Sequence, residues 1–460
     1  MQLSRRALLQ AAGCGFGSLA FGGLSAFGND GPKRTHHAPK AKRVIFLFMQ
    51  GGVSHVDSFD YKPRLEKDAG KMMPFDDART IANGGQKGSS QRLMKGPWSF
   101  AQVGKAGRWA SNLFPEMNKH VDKMCFLHGM HTEGVAHGPA TLFLHCGSTN
   151  MIRPSMGSWV LYGLGSENAN LPGFVSIAPS SGNGGARNYG NAFLPAMFQG
   201  TPLGRAGGPA TEATIRNLAG APDSESRFDL LRELNGQQMK PGDSEFEAVA
   251  ESYELAWRMQ RNAPDVLDLS KESKATLDSY GIGQKAPTEN FGRQCLLARR
   301  MCEAGVRFIQ VTHGDNSANP AWDQHSNLPK HGDHAKAVDR PIAALLEDLA
   351  QRGLLEDTLV WWGGEFGRTP YAEKNGTGRD HNPGGFTVWL AGGGVKAGYA
   401  HGATDEFGHQ AVEGRVHMHD LHATILHQLG LDHEKLTYSF AGRPFRLTDV
   451  HGHVVKEILA

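Results

Sequence analysis

Cysteine is scarce in this chain: there are 5 in 460 residues, and one of them, Cys14, stands in the first thirty. Cys125, Cys146, Cys295 and Cys302 make no disulfide framework. The last two lie seven apart on an expected helix, roughly 10 Å along its axis and beyond the reach of a bridge. All four are therefore expected as buried thiols. No charge of one sign dominates: 48 Lys and Arg stand against 46 Asp and Glu, a formal net charge of +2. That balance excludes the long basic face by which a protein holds nucleic acid. Beyond the N-terminal segment no run approaches the ~18 consecutive apolar residues of a membrane-spanning helix, and no internal repeat is found.

Glycine and an N-terminal address are present instead. The 59 glycines cluster in connections such as Gly182-Asn183-Gly184-Gly185 and Gly392-Gly393-Gly394, where tight turns need positive φ. Ser4-Arg5-Arg6-Ala7-Leu8-Leu9, followed by a weakly apolar Gly/Ala stretch through Phe27, reads as a twin-arginine export signal over residues 1–30. The protein is then expected in the periplasm or cell envelope, exported folded. The apolar run before Cys14 is short for a lipidation site.

At this length one large α/β domain with insertions, or two domains, is expected. Val44-Ile45-Phe46-Leu47-Phe48-Met49 is a continuous apolar run ending in Gln50-Gly51-Gly52, the pattern of a buried parallel strand opening into a loop. Further strands are expected at Cys125–Leu127, Val306–Val311, Thr358–Trp362 and Phe386–Leu390. Between them, Thr288 is read as the cap of a helix ended by Gly305. Asp339 and Pro341 are read as the start of another, with Leu345, Leu346 and Leu349 as its buried stripe and Gly353 as its stop. The alternation implies a mostly parallel sheet with helices on both faces, with its site beyond the carboxyl ends of the strands. Residues 181–285, loop-rich at first and then amphipathic at 225–262, are read as an insertion in a domain spanning 40–460. It either shapes substrate choice or serves as a spacer.

Fourteen of the 22 histidines fall after residue 310. The best placed stand beside acids, in Trp322-Asp323-Gln324-His325 and Gly378-Arg379-Asp380-His381, with Gly364-Glu365-Phe366-Gly367-Arg368-Thr369 between them. Carboxylates and neutral imidazoles from separate loops are what a divalent cation needs to polarise a phosphoryl or sulfuryl oxygen. A solvated polar surface is the alternative. His331 and His334 flank Asp333 and either extend the cluster or lie on a solvated helix approach. His417, His419, His422 and His427 are read mostly as surface or capping residues. Ser54 is either a nucleophile or, more in keeping with its Gly-Gly-x-Ser context, a turn residue. Arg368 suits bidentate contact with an anionic ester, or an ion pair with Glu365 or Asp380.

Phe48-Met49-Gln50-Gly51-Gly52-Val53-Ser54-His55-Val56-Asp57-Ser58-Phe59-Asp60, Arg153-Pro154-Ser155-Met156-Gly157-Ser158-Trp159 and Gly364-Glu365-Phe366-Gly367-Arg368-Thr369-Pro370, with the export signal, resemble a sulfatase-like family of exported bacterial proteins without a settled function. That family is placed in the alkaline phosphatase superfamily. The resemblance implies a three-layer αβα sandwich, one or two divalent metals (Ca, Zn, Mn or Mg) and a nucleophile at a helix N-terminus. It further implies hydrolysis of sulfate or phosphate esters, polysaccharide esters included. His137-Gly138-Pro139-Ala140-Thr141 falls where sulfatases have Cys/Ser-x-Pro-x-Arg. His137 therefore stands at the nucleophile position, as nucleophile or metal ligand, with no formylglycine precursor. Asp323 and His325 resemble a metal-binding Asp/His pair, and His381 a later ligand. Glu365 and Phe366 stand where an Asp-His pair is usual, and Gln50 where an acidic ligand is usual. Asp323, His325 and His381 are thus expected to hold one metal, Glu365 and His137 to complete a second site, and Arg368 to orient the anion. A binding or assembly protein that kept the fold and lost the chemistry is the other expectation.

Overall fold

The computed structural model describes residues 35–212 and 263–460 except 284–286, 318 and 374–375, with isolated positions between 226 and 258. The expected signal segment and the greater part of the expected helices at 225–262 lie outside the described residues.

The first apolar run folds as strand β1 (Arg43–Met49), buried along its whole length. Its two faces feed two cores. Ile45, Leu47 and Met49 pack in one cluster with Cys295, Leu296, Val338, Leu345 and Leu346. Val44, Phe46 and Phe48 pack in another with Phe143, Trp159, Leu421 and Ile425. Strands apolar on both faces need cover on both, and helices supply it. Helices α1 (His137–Cys146), α2 (Met156–Leu164) and α5 (Met418–Gln428) cover one face, and α3 (Glu289–Glu303) and α4 (Lys330–Gln351) the other.

With β2 (Met124–His131), β3 (Phe174–Ile177), β4 (Thr201–Leu203), β5 (Phe308–His313), β6 (Thr358–Gly363), β9 (Phe386–Ala391), β10 (Ala400–His401) and β11 (Val416–His417), a 9-stranded sheet forms in the order β10-β2-β9-β6-β1-β5-β3-β4, β11 also pairing β2. Every pairing is parallel except those of β9 with β6 and β2. The expected αβα sandwich with a mostly parallel sheet is the observed architecture. The region read as an insertion is tied into this body at its described edges. Thr201–Leu203 forms the outermost strand, and Tyr280 and Ile282 sit in the core with α3.

Three local expectations need correction. Helix α4 begins at Lys330, and Pro341 lies inside it. The apolar stripe Ala335, Val338, Ile342, Leu345, Leu346 and Leu349 runs across the proline, so burial of one continuous face overrides the local breaker. Asp339 caps a different element: its carboxylate accepts the Glu116 and Met117 amides at 2.8 and 2.7 Å, where the 3-10 turn Met117–Lys123 begins. Thr288 does occupy the N-cap position of α3, but its hydroxyl donates to the Gly281 carbonyl at 2.8 Å and makes no cap bond. The four cysteines are buried free thiols.

Candidate metal centre

The carboxyl ends of β1, β5 and β6 meet at one edge of the sheet, and each opens into a segment that carries polar groups. After β1, Gly51 turns the chain with φ +112°; a Cβ there would stand 2.8 Å from the Asp323 amide nitrogen. Only glycine lets the loop after β5 come this close. The Trp322 amide donates to the Gln50 carbonyl at 3.1 Å, which fixes Asp323 over the turn. Past β6, Gly367–Ala372 (β7) and Arg379–Asn382 (β8) form a two-stranded ribbon where loop was expected, and Arg368 pairs with His381 across it.

Four side chains from three segments converge. Asp323 Oδ1 lies 3.1 Å from His137 Nε2, 2.8 Å from His325 Nε2 and 3.2 Å from His381 Nε2. The His325 and His381 Nε2 atoms are 3.0 Å apart. All four ligand atoms lie within 4.8 Å of one another. The far nitrogen of each ring is held by an acceptor: His137 Nδ1 by Glu365 Oε1 at 2.6 Å, His325 Nδ1 by Glu373 Oε2 at 2.6 Å, and His381 Nδ1 by the Val135 carbonyl at 2.7 Å. A carboxylate and a carbonyl can only accept, so with a cation at the inner nitrogens each Nδ1 would carry the proton and each Nε2 would turn a lone pair inward. His137 Nε2 is buried without an aligned hydrogen-bond partner. Three such nitrogens beside a carboxylate oxygen could hold a metal ion, with outer partners that would fix the tautomers.

Electrostatics agree with a cluster built around positive charge. Burial pushes the Asp323 carboxyl up, but the imidazoles of His137, His325 and His381 and the Arg368 guanidinium outweigh it and hold the group well below the usual carboxylate range. Burial also lowers His137, yet the neighbouring carboxylates of Asp323 and Glu365 outweigh this and raise it above an ordinary imidazole. His381 is held at about 4, by burial first and then, against the pull of Asp323, by the charges of Arg368 and His137.

The residues singled out in the sequence divide accordingly. Asp323, His325 and His381 come together as one set, and His137 joins that set instead of a second one. Glu365 is fully buried and turned away from the group: its carboxylate accepts the Gly51 amide at 3.0 and 3.1 Å as well as His137. Gln50 lies at the edge with its amide nitrogen and oxygen both buried and unpartnered. Arg368 departs from the role of anion clamp. It is fully buried, and it donates to the Gly52 carbonyl at 3.0 Å, the Arg379 carbonyl at 3.2 Å, the Gly51 carbonyl, and Asp323 Oδ1 at 2.7 Å. Its partner is therefore Asp323, neither Glu365 nor Asp380, and little of its fork faces outward. Phe366 packs on the rings of His381 and His137, with centroids 4.4 and 5.0 Å away.

Ser54 is no free nucleophile: its hydroxyl donates to Asp57 Oδ2 at 2.5 Å, and Asp57 in turn pairs with buried Arg379. His331 lies neither in the group nor on a solvated face, being fully buried with its Nε2 accepting the Ser54 amide at 3.2 Å. His417 caps α5, as expected, whereas His419 and His422 are buried. The sequence reading missed Glu373, which no motif marks, the Val135 carbonyl and the Asp57–Arg379 pair. Asp380 stood in the Gly378-Arg379-Asp380-His381 motif already singled out, and Arg379 beside it was the only signal of that pair.

Residues 41–459 match the family described as "Protein of unknown function (DUF1501)". The chain belongs to this family. No curated protein matches the chain. Among solved structures it is similar to the PsFucS1 sulfatase from Pseudoalteromonas sp., at 12% identity over 91% of this chain and 72% of that one, with a TM-score of 0.41. It is similar also to the lipoteichoic acid synthase LtaP from Listeria monocytogenes (8% identity, 94% of this chain, 80% of that one, TM-score 0.37). A third is the phosphonate monoester hydrolase SpPMH from Silicibacter pomeroyi (11% identity, 85% and 73%, TM-score 0.34).

Proposed function

We propose that this DUF1501 protein is a metal-dependent hydrolase of anionic esters, sulfate or phosphate, polysaccharide esters among them, exported by the twin-arginine route to the periplasm or envelope. Among the described residues no helix is long and apolar enough to cross a membrane. The observation that carries the catalytic reading is the convergence of three imidazole Nε2 atoms on one carboxylate oxygen, with an acceptor at each Nδ1. His137, Asp323, His325 and His381 would hold the cation, and it would supply Lewis-acid polarisation of an ester oxygen. Of the cations expected, this nitrogen-rich set suits Zn²⁺ above Mn²⁺, and either above Ca²⁺ or Mg²⁺, which prefer oxygen. Arg368 orients Asp323 and offsets its charge. Glu365, Glu373 and the Val135 carbonyl keep the protons on the outer ring nitrogens. The N-terminus of α1, 10 residues long, begins at His137, so its first amides and dipole favour a negative group beside the cluster.

One feature favours a second reading, a metal-stabilised binding or assembly protein. Four protein donors would fill a four-coordinate site, as in structural zinc sites, whereas catalytic sites usually leave one position open. The deciding experiment is elemental analysis of purified protein and its Asp323→Ala and His381→Ala variants, followed by turnover of an aryl sulfate and aryl phosphate panel. About one equivalent of metal, lost in both variants, with turnover that disappears alongside it, supports the hydrolase. Metal retention without turnover of any ester transfers support to the binding reading.

A further inference from the structure

An ester anion approaching this centre needs a positive group that is not already committed, and Arg368 is sealed behind Asp323. The accessible edge is at His325, whose side chain is 23% exposed against 7%, 2% and 7% for His137, Asp323 and His381. Glu373 and Asp380 flank that edge, and one arginine lies across both: Arg79 Nη1 is 3.1 Å from Asp380 Oδ1 and 3.8 Å from Glu373 Oε1. The same carboxylates reach the metal set directly. Glu373 holds His325 Nδ1 at 2.6 Å, and Asp380 accepts the His381 amide at 2.7 Å. The arginine's backbone is anchored. It sits in the short helix Ala78–Ala82, whose cap residue Asp77 accepts the Thr80 amide and the Tyr371 hydroxyl, each at 2.6 Å. Its side chain is 45% exposed, and among the described residues only Nη1 has a protein partner, which leaves the Nε and Nη2 donors uncommitted.

His325, Glu373 and Asp380 themselves form a second set with metal-like spacing. One imidazole cannot serve both sets in its neutral form. If Nε2 gives its lone pair to the first group, Nδ1 carries the proton and has none to give the second. With the first group filled, the second offers two carboxylates, and a guanidinium already stands between them. The charges then balance: Asp323, Glu365, Glu373 and Asp380 against Arg368, Arg79 and one divalent cation. Without Arg79 the centre would carry a net negative charge and repel the ester.

We propose that Arg79 is the residue that takes the anionic oxygens of the substrate, in the position where a second cation would otherwise stand. The proposal rests on the metal-dependent reading above. A planar fork with two free donors suits a sulfate or phosphate group better than a point charge does.

The test is calorimetric titration of inorganic phosphate into protein loaded with its own metal, after metal content has been measured. Wild type should hold one cation per chain and bind phosphate. Arg79→Gln should keep the metal and weaken phosphate roughly 10- to 100-fold, and Arg79→Lys, which keeps the charge but loses the fork, should weaken it less. The double variant Arg79→Gln/Asp380→Asn restores the charge balance without the fork and should stay weak. Phosphate affinity within twofold of wild type in Arg79→Gln or in the double variant would overturn the proposal. So would two cations per wild-type chain, or metal-loaded wild type without phosphate affinity. A wild type that takes up no metal defeats the metal-dependent reading separately, because that measurement precedes the titration.

Discussion

Replacing Glu365 by glutamine tests whether the centre is built from its outer partners inward. The carboxylate is fully buried and receives the Gly51 amide at 3.0 and 3.1 Å and His137 Nδ1 at 2.6 Å. Glutamine has the same shape but offers one oxygen and one NH₂ group. With its oxygen in the Oε1 place the side chain keeps both bonds and sets its NH₂ against the Gly51 amide; turned over, the NH₂ faces His137 Nδ1 as well, so a donor meets a donor either way. Losing a buried hydrogen bond to a charged acceptor costs about 1.5–3 kcal/mol. If the loss falls on His137, the ring is no longer held with its lone pair inward, and metal affinity should fall about 10–100-fold. Glu373→Gln is the control. That side chain is 30% exposed, so solvent can relieve the mismatch at His325, and the loss of affinity should stay under about tenfold with no change in stability. Competition against a chromogenic chelator at neutral pH reads the affinity, and thermal melting of the metal-free protein reads the stability. If folded Glu365→Gln bound metal within twofold of wild type, the inference that Glu365 positions His137 would be wrong.

Three further outcomes are expected. Arg368→Lys removes the fork that serves the Gly51, Gly52 and Arg379 carbonyls and Asp323; urea unfolding should show about 3–5 kcal/mol lost, as for a broken buried pair, and a loss below 1 kcal/mol would contradict that role. Gly51→Ala combines φ +112° with a Cβ 2.8 Å from the Asp323 amide. It should cost at least about 1 kcal/mol and weaken metal binding, whereas unchanged binding would show that the turn does not position Asp323. Acid should unfold the metal-free protein steeply. Burial holds His55, His145 and His422 at about 4 and His313 at about 3. A depressed imidazole contributes stability that is fully present above its ordinary value near 6.5 and lost as pH falls toward 4, at about 1.4 kcal/mol per pH unit for each residue. A urea midpoint in EDTA that stays level from pH 6.5 to 4.5 would refute this.

The layered sheet was legible because its signals are local and repetitive. Val44–Met49 is apolar at every position, and only a strand covered on both faces accommodates that. Much of the candidate centre was legible for a similar reason, since Asp323 with His325, and Asp380 with His381, set two ligand types side by side. The extent of α4 was not, because Pro341 is a strong local breaker and only the stripe packed beneath the sheet outweighs it. Nor was the division of labour among the polar residues. Nothing local tells that His137, from the start of α1, meets Asp323 while Glu365, at the end of β6, turns back to hold its far nitrogen. Sequence fixes which residues can ligate and which face of each element is buried, because those follow from residue type and period. Which carboxylate ligates, which one positions and which arginine is left exposed depends on distances between segments hundreds of residues apart, and those distances exist only once the sheet has brought its strand ends together.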